Sequence, residues 1–158
     1  MNKRQKKKKL INSILSGNAV LYHIHEVDDY PKITKLTPFI PESSLQDSPE
    51  DKTMKRVCVS NTIGNCLLSI GIPNTLYDVY VVDEKLKRKD IRVPSINTVF
   101  DCEETGELWV LKEVKVKRIG TIKTSESITS KKRINNKVFD FFITTCGYTW
   151  NEKLEEIK

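Results

Sequence analysis

Glycine is scarce in this 158-residue chain, with six residues in all. Gly64 and Gly71 are not followed by Gly-Lys-Ser/Thr, and neither GxGxxG nor GxSxG occurs. A glycine-built phosphate cradle and a serine-hydrolase elbow are therefore excluded as themes. Histidine is scarcer still: His23 and His25 stand alone, without an HxxxH or CxxC pattern beside them. On a strand these two would face the same side, but a metal site needs three or four converging ligands, so no metal is expected. No apolar run approaches the eighteen residues that cross a bilayer, and the N-terminus is lysine-rich with no apolar signal core behind it. Secretion and membrane insertion are not expected, and the chain reads as cytoplasmic. Its four spread cysteines, Cys58, Cys66, Cys102 and Cys146, then read as reduced and mostly buried thiols.

Apolar types make up 38% of the chain and charged types 30%, enough to bury a core in one domain of this length. The formal charge of +6 is unevenly placed. Lys3, Arg4, Lys6, Lys7, Lys8 and Lys9 supply six of the 27 basic residues, leaving 21 against 21 acidic ones. The body is neutral. A basic face on the fold itself is thus not indicated. The tail reads either as a non-specific contact for RNA, DNA or another anionic surface, or as a disordered solubilising segment. Joined to Leu10–Leu15, it would also fold as a basic amphipathic helix on a partner.

Apolar spacing predicts a helix over residues 3–16, stopped at Gly17, as a basic N-terminal tail ahead of one globular domain over 17–158. Strands are predicted at Ala19–His25, Arg56–Ser60, Leu76–Val82, Glu107–Leu111, Val114–Ile122 and Val138–Thr145, with a shorter one at Ile91–Val93. Between the first two lies a proline-rich, acidic excursion, Glu26–Lys55, read as irregular. Ile63, Cys66, Leu67 and Ile70 fall at helical spacing, with Ser60, Asn61 or Thr62 as its cap and Gly71 and Pro73 as its end. Asp83–Asp90 reads as a solvated turn and Ser125–Asn136 as polar and mobile. The expected class is α+β: a single small domain with a mixed or antiparallel split β-sheet core and few helices.

Three separated pieces carry the chemistry. They are Tyr22-His23 on the first strand, Ser60 where the second strand meets a helix, and Glu107 in Thr105-Gly106-Glu107-Leu108-Trp109. This order resembles the ADP-ribosyltransferase superfamily, which includes the diphtheria-toxin-like and poly-ADP-ribose polymerase enzymes and the tRNA 2′-phosphotransferases. The resemblance spans roughly residues 19–122. It implies NAD as the bound nucleotide, held by Tyr22, His23, Ser60, Thr62 and Trp109, with His23 on the ribose and, together with Glu107, catalytic. Ser60 would support the pocket through its hydroxyl and the helix N-terminus behind it. Glu107 would accept from the nicotinamide-ribose 2′-OH and stabilise the positive charge that develops as the glycosidic bond breaks. The chain departs from the pattern at Thr105, where Arg-specific transferases carry a first Glu, and at Asn61-Thr62-Ile63, which lacks the nicotinamide-stacking Tyr; Tyr77 and Tyr80 come later.

The implied function is binding of NAD or a related ADP-ribose-type nucleotide, with transfer to a protein or RNA acceptor. Whether it turns over stays open. The alternative is a non-catalytic interaction protein that sequesters a nucleotide or a host protein. The abundance of Lys, Ile and Asn, frequent in low-GC bacteria and their phages, hints at a phage or mobile-element origin. A third reading is a metal-dependent nuclease built on Asp101 and Glu113-Val114-Lys115, against which stands the plain alternation of an exposed strand.

Overall fold

The computed structural model describes residues 1–27, 32–41, 50–70, 74–99, 102–124, 127–134, 137–144 and 148–151, by backbone alone from residue 127 on. The order of elements is α1 (Lys3–Leu15), β1 (Tyr22–Glu26), β2 (Lys35–Leu36), β3 (Val57–Val59), α2 (Ile63–Ile70), β4 (Leu76–Val82), a 3₁₀ turn at Arg88–Asp90, and β5 (Ile91–Arg92). There follow α3 (Cys102–Thr105), β6 (Leu108–Val110), β7 (Val114–Thr124), β8 (Ser127–Ile134), β9 (Lys137–Thr144) and β10 (Tyr148–Asn151).

Every strand pair described is antiparallel. One sheet runs β1-β4-β7-β10, with β2 also on β7; a smaller one runs β3-β6-β5; and β8-β9 is a separate hairpin. The two main sheets meet at β1. There Tyr22 N donates to Ser60 O at 2.7 Å and Ser60 N to Tyr22 O at 3.0 Å. The fold is a mixed α+β architecture with a split antiparallel core.

Strand alternation explains how the core divides. Tyr22 and Ile24 point to one face of β1, where Tyr77, Val79 and Ile122 join Cys66 and Leu67 of α2. The main cluster takes Leu21 and the inward pair of each short strand: Val57 and Val59 from β3, Leu108 and Val110 from β6. The opposite face of that small sheet carries Trp109, Val99 and Cys102.

A helix of near-continuous lysine needs explaining, because like charges four apart and cations in the first turn both oppose it. Its two ends are capped. Asn2 and Gln5 form a reciprocal box at the N-terminus, with Gln5 N donating to Asn2 Oδ1 at 3.0 Å and Asn2 N to Gln5 Oε1 at 2.9 Å. At the other end Gly17 takes φ +77°, and the N–H groups of Gly17 and Asn18 close onto Ile14 O and Ser13 O at 3.1 and 2.8 Å. Ile11 and Ile14 are buried, and Ile14 joins the main cluster. Lys3 Nζ reaches Glu103 at 3.0 Å, and Lys7 Nζ donates to Pro94 O at 3.0 Å. The expectation of a helix here holds, but it is docked on the body as part of the same core.

Other differences are local. The excursion expected to be irregular contains β2 and a bridge between Phe39 and Arg56. Ser127–Ile134, within the segment read as mobile, pairs residue for residue with β9. The short α3 and β10 carry too few residues to show a period. Gly71 and Pro73, expected to end α2, and the Cys146 thiol lie outside the described residues.

Candidate functional site at the junction of the two sheets

The register of β3 on β6 sets Cys58 opposite Trp109 and Val59 opposite Leu108. Just past that ladder, the buried Ser60 hydroxyl sits within bonding distance of Gly106 O, 2.8 Å, and Thr105 O, 3.1 Å. Its one proton thus ties the end of β3 to the turn that delivers Glu107. That turn depends on Gly106, whose φ is +58° and whose missing Cβ would lie 2.4 Å from Asn65 Nδ2.

Glu107 immediately precedes β6, two residues from Trp109. The indole N–H of Trp109 donates to Glu107 Oε1 at 2.5 Å, and the Cys58 thiol donates to the same oxygen at 3.4 Å. Burial raises the Glu107 pKa above the ordinary carboxylate range, opposed by those two hydrogen bonds. The same neighbourhood pushes the Cys58 thiol far up, through burial first and the Glu107 charge second.

Beneath Trp109 lies Arg56, fully buried, its guanidinium 4.3 Å from the ring centroid. Arg56 Nη1 donates to Asp51 O at 3.0 Å and Met54 O at 3.1 Å, and Nη2 reaches Glu50 Oε2 at 3.4 Å. Arg92 adds a second cation 5.8 Å from the same centroid. Trp109 thus has two cations over its ring and a carboxylate at its N–H. Arg56 was missed as a site residue, yet the signal was present. In Arg56-Val57-Cys58-Val59-Ser60, period two puts Arg56, Cys58 and Ser60 on one side of the strand and the valines on the other.

His23 approaches from β1. Beyond the Tyr22–Ser60 bridge the two strands part, and the His23 ring closes the gap, its Nδ1 lying 2.9 Å from Cys58 O. A carbonyl oxygen only accepts, so Nδ1 carries the proton and Nε2 of the neutral ring is an acceptor. Burial lowers the His23 pKa; the Cys58 contact works against that shift and His25 adds to it. His23 pairs with Tyr80 of the main cluster, whereas Glu107 lies with Trp109 on the other face of the small sheet. Cys58 is the link between them, touched through its carbonyl by one and through its thiol by the other. Among the described residues no hydrogen bond joins His23 to Glu107 directly.

The remaining expected site residues have other employment. The Tyr22 ring is buried in the second cluster. Thr62 Oγ1 accepts from Asn65 N at 3.1 Å, capping α2. Thr105, the departure from Glu-x-Glu, is buried. Trp109 is fully buried, which favours its reading as core over a ligand platform. For the nuclease pattern, Asp101 lies outside the described residues, while Glu113 pairs with Lys35 Nζ at 3.0 Å and Thr37 Oγ1 at 3.4 Å. Among the described residues, no group of three or more His, Cys, Asp or Glu side chains is placed to hold a metal ion. No family model, curated protein or solved structure matches this chain.

Proposed function

We propose that the protein binds NAD or a related ADP-ribose-type nucleotide at the junction of β1, β3 and β6, as its resemblance to the ADP-ribosyltransferase superfamily implies. One observation carries the reading. His23, Ser60 and Glu107 come from segments far apart in sequence, yet His23 reaches the Cys58 carbonyl, Glu107 meets the Cys58 thiol, and Ser60 bonds the Gly106 carbonyl next to Glu107. The residues fit such a ligand in part. His23 Nε2 is an acceptor for a ribose hydroxyl, and Glu107 is a carboxylate with its second oxygen outside the indole contact. Ser60 and Thr62 spend their hydroxyls on the protein itself, so their support is structural: they set the Gly106 turn and the start of α2.

A second reading is favoured by the engagement of Glu107. A carboxylate already held by an indole N–H at 2.5 Å and a thiol at 3.4 Å must exchange those donors for a ribose hydroxyl before it stabilises a breaking glycosidic bond. A protein that sequesters the nucleotide without turning it over needs no such exchange.

Calorimetry and thermal melts with NAD, ADP-ribose and nicotinamide test the binding. A ligand at 100 times its Kd stabilises the fold by about 2.7 kcal/mol, and no shift with any of the three rejects the proposal. Nicotinamide release separates the two readings. In a transferase, Glu107→Gln lowers turnover by about a hundredfold, the usual loss of one well-placed electrostatic group. Binding without release in the wild type selects sequestration.

A further inference from the structure

The chain's entire charge excess lies on a helix whose orientation the fold fixes. Leu10, Ile11 and Ile14 seat one side of α1 on the body, and Lys3 and Lys7 are drawn down to Glu103 and the Pro94 carbonyl. At 100° per residue, that leaves Gln5, Lys8, Lys9, Asn12 and Ser16 on the outward side, with Arg4 and Lys6 on its flanks. The outward residues, with Ser13 and Asn18, line an open groove of about 480 Å³. Arg4, Lys6, Lys8 and Lys9 are exposed, and among the described residues none has an ion-pair partner. Arg4 and Lys8 are four apart, so their repulsion costs the free helix stability that a bound anion would restore.

We propose that this face of α1 is a docking surface for the sugar–phosphate backbone of double-stranded DNA. Charge complementarity identifies the partner as a polyanion, and the groove's chemistry narrows it. Amide and hydroxyl side chains beside Lys8 and Lys9 are the groups that accompany cations on phosphate oxygens. No aromatic ring lines the groove, so it offers no platform on which unstacked bases of a single strand would lie. Contacts from cationic, amide and hydroxyl side chains to phosphate oxygens carry no sequence information. The contact is accordingly independent of sequence. The surface stands apart from the β1–β3–β6 junction, and neither proposal depends on the other.

The test is binding of the full chain to a fluorescent duplex of about 20 base pairs over a range of salt. If all four cations meet phosphates, the logarithm of affinity falls against the logarithm of salt with a slope of about −3.6. Lys8→Gln with Lys9→Gln removes two contacts and brings the slope to about −1.8. A control with the same loss of charge, Lys117→Gln with Lys123→Gln on exposed positions of β7, keeps the wild-type slope. Far-UV circular dichroism verifies that α1 is intact in each variant. Absent binding, an unchanged slope in the α1 variant, or an equal loss in the control overturns the proposal. Tighter binding to phosphatidylserine vesicles, or to a single strand of the same length, also overturns it by assigning the face to another partner.

Discussion

Replacing Arg56 by methionine keeps most of the side-chain volume and removes the buried cation. Two backbone carbonyls, Asp51 O and Met54 O, lose charged donors, each contact worth about 1.5–3 kcal/mol. The stack on Trp109 at 4.3 Å adds about 2 kcal/mol in so dry a site. Against these gains stands the cost of drying the guanidinium in the wild type, several kcal/mol, which the variant escapes. The Glu50 carboxylate and both carbonyls are left behind, so the net follows the pattern of a buried pair stripped of one partner, about 3–5 kcal/mol. For a chain of this size that lowers Tm by roughly 6–20 °C, at about 2–4 °C per kcal/mol. Arg56→Lys recovers less than half of it, because one ammonium cannot serve both carbonyls and lie flat on the indole. Arg56 also lowers the Glu107 pKa, so its loss raises that pKa further. Thermal melts by circular dichroism read the first effect. Arg56→Met melting within about 2 °C of the wild type, or above it, refutes the reasoning: the cation would then only break even against its own desolvation.

Gly106→Ala costs about 1–2 kcal/mol for the left-handed backbone alone. The new Cβ also displaces the Asn65 side chain, and adding Asn65→Ala recovers that second part only, as denaturant melts will show. Ile14→Ala opens the seat of α1 at a cost of about 2–5 kcal/mol and lowers helical ellipticity; deleting residues 1–9 likewise lowers Tm. The His23 pKa lies below its ordinary 6.5, so the folded state favours the neutral ring. Its contribution is complete above that value and is lost as pH falls through the folded pKa. His23→Gln should flatten this acid limb of the stability profile, and a limb of unchanged slope would show that another group causes it.

Among the described residues up to 124, the longer elements were largely legible in the sequence, because each of these is amphipathic on its own. Val57 and Val59 against Cys58, or Val114 and Val116 against Lys115 and Lys117, announce a strand with one dry face. Leu10, Ile11 and Ile14 announce a helix with one dry side, and the lysines before them locate the whole charge excess. Order along the chain also singled out His23, Ser60 and Glu107, of which His23 and Glu107 both contact Cys58 and Ser60 bonds the Gly106 carbonyl.

What these side chains do was decided only by the packing of segments distant in sequence. No local pattern says that β1 and β3 part just beyond Ser60, so that His23 spends Nδ1 on Cys58 O. None says that Arg56 lies buried under Trp109, or that Trp109 turns its N–H onto Glu107. Nor does the lysine run reveal that two of its members are consumed by Glu103 and Pro94, 100 and 87 residues away. Hydrophobic periodicity is a property of neighbours along the chain, whereas hydrogen-bond partners, burial and pKa shifts depend on what lies across the sheet junction. There the strength of an interaction is set by the water that packing has removed.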